Sequence, residues 1–276
     1  MRIRAVLSFG AAGLALAACA RRDAPPAGEP NVVTVVATDF AFGVPETIPA
    51  GLTTLHLVNQ GQEPHHAVLI QLAQGKTLAD FQAQSMEDTL PEWMVFPGSP
   101  GAVSPGDTST TTAELEPGQY VLACFIPSPD GQPHIAKGMV RPFVVAGASP
   151  ATAAAEPQSD VTVTLSDYAF AFSTPLTAGA HTIRVENAGP QVHEITFERL
   201  AEGKTMQDYV AWGQGGGKGP PPSTPAGGLI GPTKGRHAFL SINLEPGMYL
   251  VLCYVPDQKD GKPHIMHGMI QEITVS

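Results

Sequence analysis

Two stretches of the chain carry side chains able to bind a soft metal. Residues 118–139 read GQYVLACFIPSPDGQPHIAKGM, and residues 247–269 read GMYLVLCYVPDQKDGKPHIMHGM. Each opens Gly-x-Tyr-x-x-x-Cys and closes Pro-His-Ile-x-x-Gly-Met. The candidate ligands are Cys124, His134 and Met139 in the first, and Cys253, His264 and Met269 in the second. A thiolate, an imidazole and a thioether at fixed spacing suit a soft transition metal, copper first among them. Each stretch also has a His at a matched upstream position, His65 and His193. Taken singly, these residues have plainer readings. A Cys in an apolar run is often a small buried hydrophobe, a Met can be core filler, and a His can sit on a surface loop. The same set at matched positions twice over favours a metal.

The elements that must position these residues repeat as well. Asp39-Phe40-Ala41-Phe42 matches Asp167-Tyr168-Ala169-Phe170, and Asn59-Gln60-Gly61 matches Asn187-Ala188-Gly189. Gly75-Lys76-Thr77 matches Gly203-Lys204-Thr205, and Leu115-Glu116-Pro117-Gly118 matches Leu244-Glu245-Pro246-Gly247. The chain therefore divides into a first unit over 31–146, an Ala/Pro linker over 147–159 and a second unit over 160–276. β-Branched and apolar runs between turn residues predict strands over 32–37, 54–58, 67–72, 120–126 and 139–145. The second unit repeats them over 161–165, 181–186, 194–198, 249–255 and 269–275. Thr77 is placed to cap a short helix bearing Leu78, Phe81 and Met86; Thr205 does the same for Met206, Tyr209 and Val210. The fold class is all-β: two tandem Greek-key β-sandwich domains, each with one short helix. The linker implies that each unit can fold on its own.

These residues resemble the cupredoxins, the blue or type 1 copper proteins. The resemblance rests on Asn-x-Gly followed by His, then Gly-x-Tyr-x-x-x-Cys, then His-x-x-x-Gly-Met, and it covers both units. It implies copper sites at His65, Cys124, His134 and Met139 and at His193, Cys253, His264 and Met269, up to two ions per chain. It also implies that Asn59 and Asn187 brace the ligand loop. The loop between Cys and the second His holds nine residues in one copy and ten in the other, more than in plastocyanin-like members. Pro-Asp-Gly and Lys-Asp-Gly inside these loops read as turns. His66, beside His65, is an alternative ligand that the repeat alignment disfavours, since Glu194 stands at its place in the second unit. His267 replaces Lys137 and reads as a surface His.

Two imidazoles and a thiolate suit both copper oxidation states, so the resemblance implies an electron carrier with a redox protein partner. Copper storage or delivery is the alternative, as is a metal-free binding module. A copper oxidase or nitrite reductase needs further His-rich copper centres beside the first; Ala123 and Leu252 precede the cysteines and no His-x-His occurs, so no enzyme is expected. The Gly-rich run over 213–219 follows a helix rather than a strand and lacks the Lys-Ser/Thr of a phosphate loop; it reads as a flexible loop.

At the amino terminus, Arg2 and Arg4 precede a short apolar run that ends Leu16-Ala17-Ala18-Cys19. The ending resembles a bacterial lipobox. Residues 1–18 then read as a cleaved signal, Cys19 as the lipidated residue and 19–30 as a tether, which places the protein outside the cytoplasm on a membrane surface. With 15 basic against 25 acidic residues, the chain has no basic surface for nucleic acid. Cys124 and Cys253 occupy equivalent interior positions in different units, so a disulfide between them is not expected.

Overall fold

A computed structural model describes residues 28–84, 89–148 and 154–276. Cys19 and its leader, Met86 and the middle of the linker lie outside the described residues. The first repeat contains β1 (Asn31–Thr38), β2 (Ala41–Gly43), β3 (Thr47–Asn59), β4 (Val68–Leu72), α1 (Leu78–Gln82), β5 (Met94–Val95), β6 (Ser99–Pro100), β7 (Thr108–Leu115), β8 (Gly118–Ala123) and β9 (Val140–Ala148). The second contains β10 (Val161–Ser166), β11 (Ala169–Phe172), β12 (Gly179–Asn187), β13 (Glu194–Leu200), α2 (Met206–Gln214), β14 (Ser223–Ile230), β15 (His237–Leu244), β16 (Gly247–Leu252) and β17 (Ile270–Val275).

The protein is mostly β, and each repeat is built from two sheets. In the first, β3 belongs to both: its start runs parallel to β9, and its remainder pairs with β1 and β7. The second sheet runs β9-β8-β4-β5. In the second repeat the sheets are β11-β10-β12-β15 and β17-β16-β13-β14. Alternation along β1 buries Val33, Val35 and Ala37, which pack with Leu69, Val121 and Phe143 from the other sheet. This is the period-2 burial of a half-exposed strand.

Both helices start where expected, and each has a full capping box. Thr77 Oγ1 accepts from the Asp80 amide while the Asp80 carboxylate accepts from the Thr77 amide; Thr205 and Asp208 repeat the arrangement. The motif tyrosines serve the turns before them. Tyr120 Oη donates to Glu116 O at 2.9 Å, and Tyr249 Oη to Glu245 O at 3.1 Å. Each Leu-Glu-Pro-Gly turn is thus fastened by the Tyr that follows it.

The repeats are not separate bodies. β7 pairs with β15 through Thr110–Thr112 and Phe239–Ser241. β6 pairs with β14, Ser99 opposite Ile230 and Pro100 opposite Leu229. One continuous core draws on both repeats. Independent folding across a loose linker, the expectation from composition, gives way to strand pairing that only the three-dimensional arrangement creates. The Thr-rich sequence of β7 gives little strand signal of its own. It is buried because strands flank it on both sides.

Candidate metal centres

His65 enters its site from an Asn-x-Gly turn. Asn59 Oδ1 accepts from the Gly61 amide at 2.9 Å, and Asn59 Nδ2 donates to Glu63 O at 2.9 Å and Val103 O at 3.1 Å. The main chain of His65 then pairs with Val103 in both directions. In the second repeat Asn187 holds Gly189, Gln191 and Pro232 in the same way. Asn59 and Asn187 therefore brace the turn that carries the first His, rather than the loop that carries the other ligands.

That loop has its own ties. β8 ends at Ala123, so the strand expected to run to 126 stops short. The Cys124 amide donates to Met139 O at 3.2 Å, and the Met139 amide donates to His134 O at 3.0 Å. Cys253, Met269 and His264 repeat this at 3.2 and 3.0 Å. Gly138 and Gly268 close the short turns at His134–Lys137 and His264–His267 with φ of 97° and 93°, where a side chain would be strained. Pro127 bridges to Pro133 and Pro256 to Pro263. The long loops thus leave and return at one point, as their turn residues predict. Met139 and Met269 are fully buried.

The result is two convergent donor sets. In the first, His65 Nδ1 lies 3.0 Å from His134 Nδ1, and Cys124 Sγ lies 3.4 Å from His134 Nδ1 and 3.9 Å from His65 Nδ1. In the second, the His193 and His264 Nδ1 atoms are 3.1 Å apart, and Cys253 Sγ is 3.3 Å from His264 Nδ1. All six residues are fully buried. Both cysteines are free. Separations of this size are what ligands about 2 Å from a shared ion would have.

The far side of each imidazole is held as well. His65 Nε2 pairs with Asp39 Oδ1 at 2.7 Å, and His134 Nε2 with Glu63 Oε2 at 2.9 Å. His193 Nε2 pairs with Asp167 Oδ1 at 2.7 Å; His264 Nε2 lies 3.4 Å from Gln191 Oε1 and 3.7 Å from Asp257 Oδ2. A carboxylate behind the ring fixes the tautomer with the proton on Nε2 and leaves Nδ1 free to ligate. Burial lowers the pKa of His65 and of His193, opposed in part by Asp39 and Asp167. Burial, aided by His193, takes His264 down to about 4. These rings are neutral at pH 7, as ligands must be. Burial pushes the Cys124 thiol up to about 11 and Cys253 well above its ordinary value, so metal binding must displace a thiol proton.

The neighbours of the candidate ligands have partners of their own. His66 is not a ligand. Its Nε2 accepts from the Phe125 amide at 2.8 Å, the same bond that Glu194 Oε1 makes with the Tyr254 amide at 2.7 Å. His66 and Glu194 are unlike in type and alike in task, each holding the residue after the Cys. His267 stacks on Tyr168, ring centroids 5.0 Å apart, and bonds to Asp260. Lys137 lies over Phe40 at 4.7 Å and pairs with Asp130. Asp257, Asp260 and His267 form a third donor group. Its carboxylates are already taken by Tyr168, Gln191, Lys262 and His267, so it reads as outer support for the second centre.

The supports Asp39, Glu63, Asp167, Gln191 and Asp257 did not emerge from sequence reasoning as site residues. Asp39 and Asp167 stand in the matched Asp-aromatic-Ala-Phe motif and were open to detection. Glu63 and Gln191 are equivalent but differ in type, which hides them.

No protein-family model matches the chain, and no curated protein matches it. Solved structures similar to it include reduced auracyanin from Roseiflexus castenholzii, 21% identical over 44% of this chain and all of that one, TM-score 0.33. A multicopper oxidase is 14% identical over 89% of this chain and 88% of that one, TM-score 0.25. Copper nitrite reductase from Nitrosomonas europaea is 15% identical over 90% and 94%, TM-score 0.26.

Proposed function

We propose that each repeat binds one copper ion and that the chain carries electrons. The observation that supports this most is the pair of equivalent buried donor sets, each with two inward Nδ1 atoms and one Sγ. Copper supplies one-electron exchange between Cu(I) and Cu(II). The protein supplies imidazoles held from behind by Asp39, Glu63, Asp167 and Gln191. It also supplies a thiolate on a loop closed at both ends and a buried setting that keeps water away. Such a site changes oxidation state with little rearrangement. In this reading the buried Met139 and Met269 are the weak fourth ligands that the resemblance implies.

The chain works as a carrier rather than an enzyme in this reading. In the same reading the lipobox-like ending at Cys19 tethers it outside the cytoplasm of a bacterium, and its acidic balance suits a basic redox partner met in brief, salt-sensitive encounters. The test is an absorption spectrum of the copper-loaded chain with metal counting. A strong thiolate-to-copper(II) band and two ions per chain are expected. Tight Cu(I) binding without redox cycling would replace the carrier reading with delivery, and no bound metal would end it.

A further inference from the structure

The second repeat sets three readily oxidised rings in line where the first has none. Tyr254 follows Cys253 directly in the chain. Its hydroxyl is hydrogen-bonded to that of Tyr209 on α2. Tyr209 lies against Trp212, one turn further along the helix, with ring centroids 5.7 Å apart. Tyr209 and Trp212 sit between the outer face of β13 and β16 and helix α2, in a small core with Leu200, Leu250 and Leu252 that is distinct from the main one, and Tyr254 lies beside it, 39% exposed.

Trp212 is half-buried, and the glycine run after α2 lies over it. The Gly217 amide donates to Trp212 O at 3.0 Å, and a Cβ on Gly217 would stand 3.5 Å from the indole. The indole Nε1 donates to Gly219 O at 3.2 Å. The glycines read from sequence as a loose loop are what let the backbone cover this ring closely.

At the matching positions the first repeat has Phe125, Phe81 and Gln84. Phenyl rings fill the same kind of space at no polar cost. The half-exposed Tyr254 turns its hydroxyl onto that of the buried Tyr209, a polar pairing that packing alone does not require. Phenol and indole also give up an electron far more readily than phenyl.

We infer that Tyr254, Tyr209 and Trp212 form an electron path from the second centre to a one-electron acceptor at the surface by α2. The inference rests on the electron-transfer reading of that centre. The rings are a bridge: an ion held by Cys253 would be oxidised by one electron, the acceptor would be reduced by one, and no proton would be released.

The path can be tested first on the metal-free full-length chain, with a photogenerated ruthenium(III) polypyridyl oxidant. Ruthenium(III) takes one electron from Trp212. Tyr254 replaces it through Tyr209, and the phenolic proton goes to buffer. A tyrosyl radical is expected by transient absorption and electron paramagnetic resonance in the wild type and in Trp93→Phe. It should be lost in Trp212→Phe, Tyr254→Phe should leave it on Tyr209, and Tyr209→Phe should leave the hole on the indole. These ring-for-ring changes are checked for folding by circular dichroism. An undiminished tyrosyl yield in Trp212→Phe, or none in the wild type, overturns the path. In the copper-loaded chain, Trp212→Phe should slow oxidation of the second centre and spare the first; equal slowing of both also overturns it. A chain that passes the metal-free test but binds no copper overturns the electron-transfer reading and leaves the radical path standing.

Discussion

Asp39 and His65 meet through Oδ1 and Nε2 at 2.7 Å, and they can do so because residue 61 has no side chain. A Cβ on Gly61 would fall 2.3 Å from Asp39 Oδ1 and 2.6 Å from His65 Nε2. At Gly189 the same atom would stand 2.9 Å from Asp167 Oδ1 and 2.7 Å from His193 Nε2. The Gly of each Asn-x-Gly turn is thus fixed by the support behind the ligand, not by a positive φ.

Gly61→Ala should therefore push the Asp39–His65 pair apart. Loss of such a support typically costs about 10–100-fold in metal affinity. A competition titration with copper should show that loss at the first centre and leave the second unchanged. Gly189→Ala should do the reverse, more mildly, because its contacts are less close. Unaltered affinity in Gly61→Ala would mean that the ring does not need the carboxylate.

Cys124→Ser should abolish the thiolate–copper band of the first centre and spare that of the second, and Cys253→Ser should do the opposite. No ligand is borrowed across the repeats, since each donor set comes from one of them. A Ser hydroxyl is hard and protonated at neutral pH, so it does not replace the thiolate. Metal analysis should give two ions in the wild type and one strongly coloured centre in each variant. Both substitutions removing all colour would mean a shared centre.

Separate centres do not make separate folding units. The Gly101 amide donates to Gly228 O at 2.9 Å, and the Gly227 amide donates to Ala102 O at 3.1 Å. Val103, which grips both Asn59 and His65, also bridges to Ala226 of the other repeat. The metal-free chain should therefore melt in one calorimetric transition whose van't Hoff and calorimetric enthalpies agree. Gly98→Ala should lower that transition, because its φ is +114° and its Cβ would lie 2.4 Å from the Cβ of Ala238. Overpacking of this kind costs about 1–3 kcal/mol. Two resolved transitions would restore the picture of independent units.

The candidate donors were legible because the chain states them twice. Cys124 and Cys253, with their two histidines and Met, recur in one order, and only a shared geometry explains that. The helix starts were legible because Thr77 and Thr205 act within their own turn. What lay hidden is non-local. Nothing near β6 or β7 announces that they pair with β14 and β15. Glu63 and Gln191 stand behind equivalent rings without sharing a residue type. His66 looked like a rival ligand because adjacency in sequence says nothing about facing. It points instead to the Phe125 amide, where Glu194 serves the second repeat.

Glu198 gives the metal-free chain a pH dependence of definite sign. Burial pushes its carboxyl up from 4.5 to about 7, and the hydrogen bond from Ser223 offsets only part of that. Between these values the folded chain holds a proton that the unfolded chain has released. The contribution of this group therefore falls as pH rises from about 4.5 to about 7 and flattens above, against the rise that the lowered His66 and His264 give below about pH 6.5. At 1.36 kcal/mol per pKa unit, the loss from this group is on the order of 3 kcal/mol. Glu194, also buried and raised to about 7, acts with the same sign. Urea unfolding should show that Glu198→Gln, which keeps an acceptor for Ser223, removes this falling contribution, so that between about pH 4.5 and 7 stability rises more steeply with pH in the metal-free variant than in the metal-free wild type. A slope unchanged in Glu198→Gln would mean that this carboxyl stays ionised inside the fold.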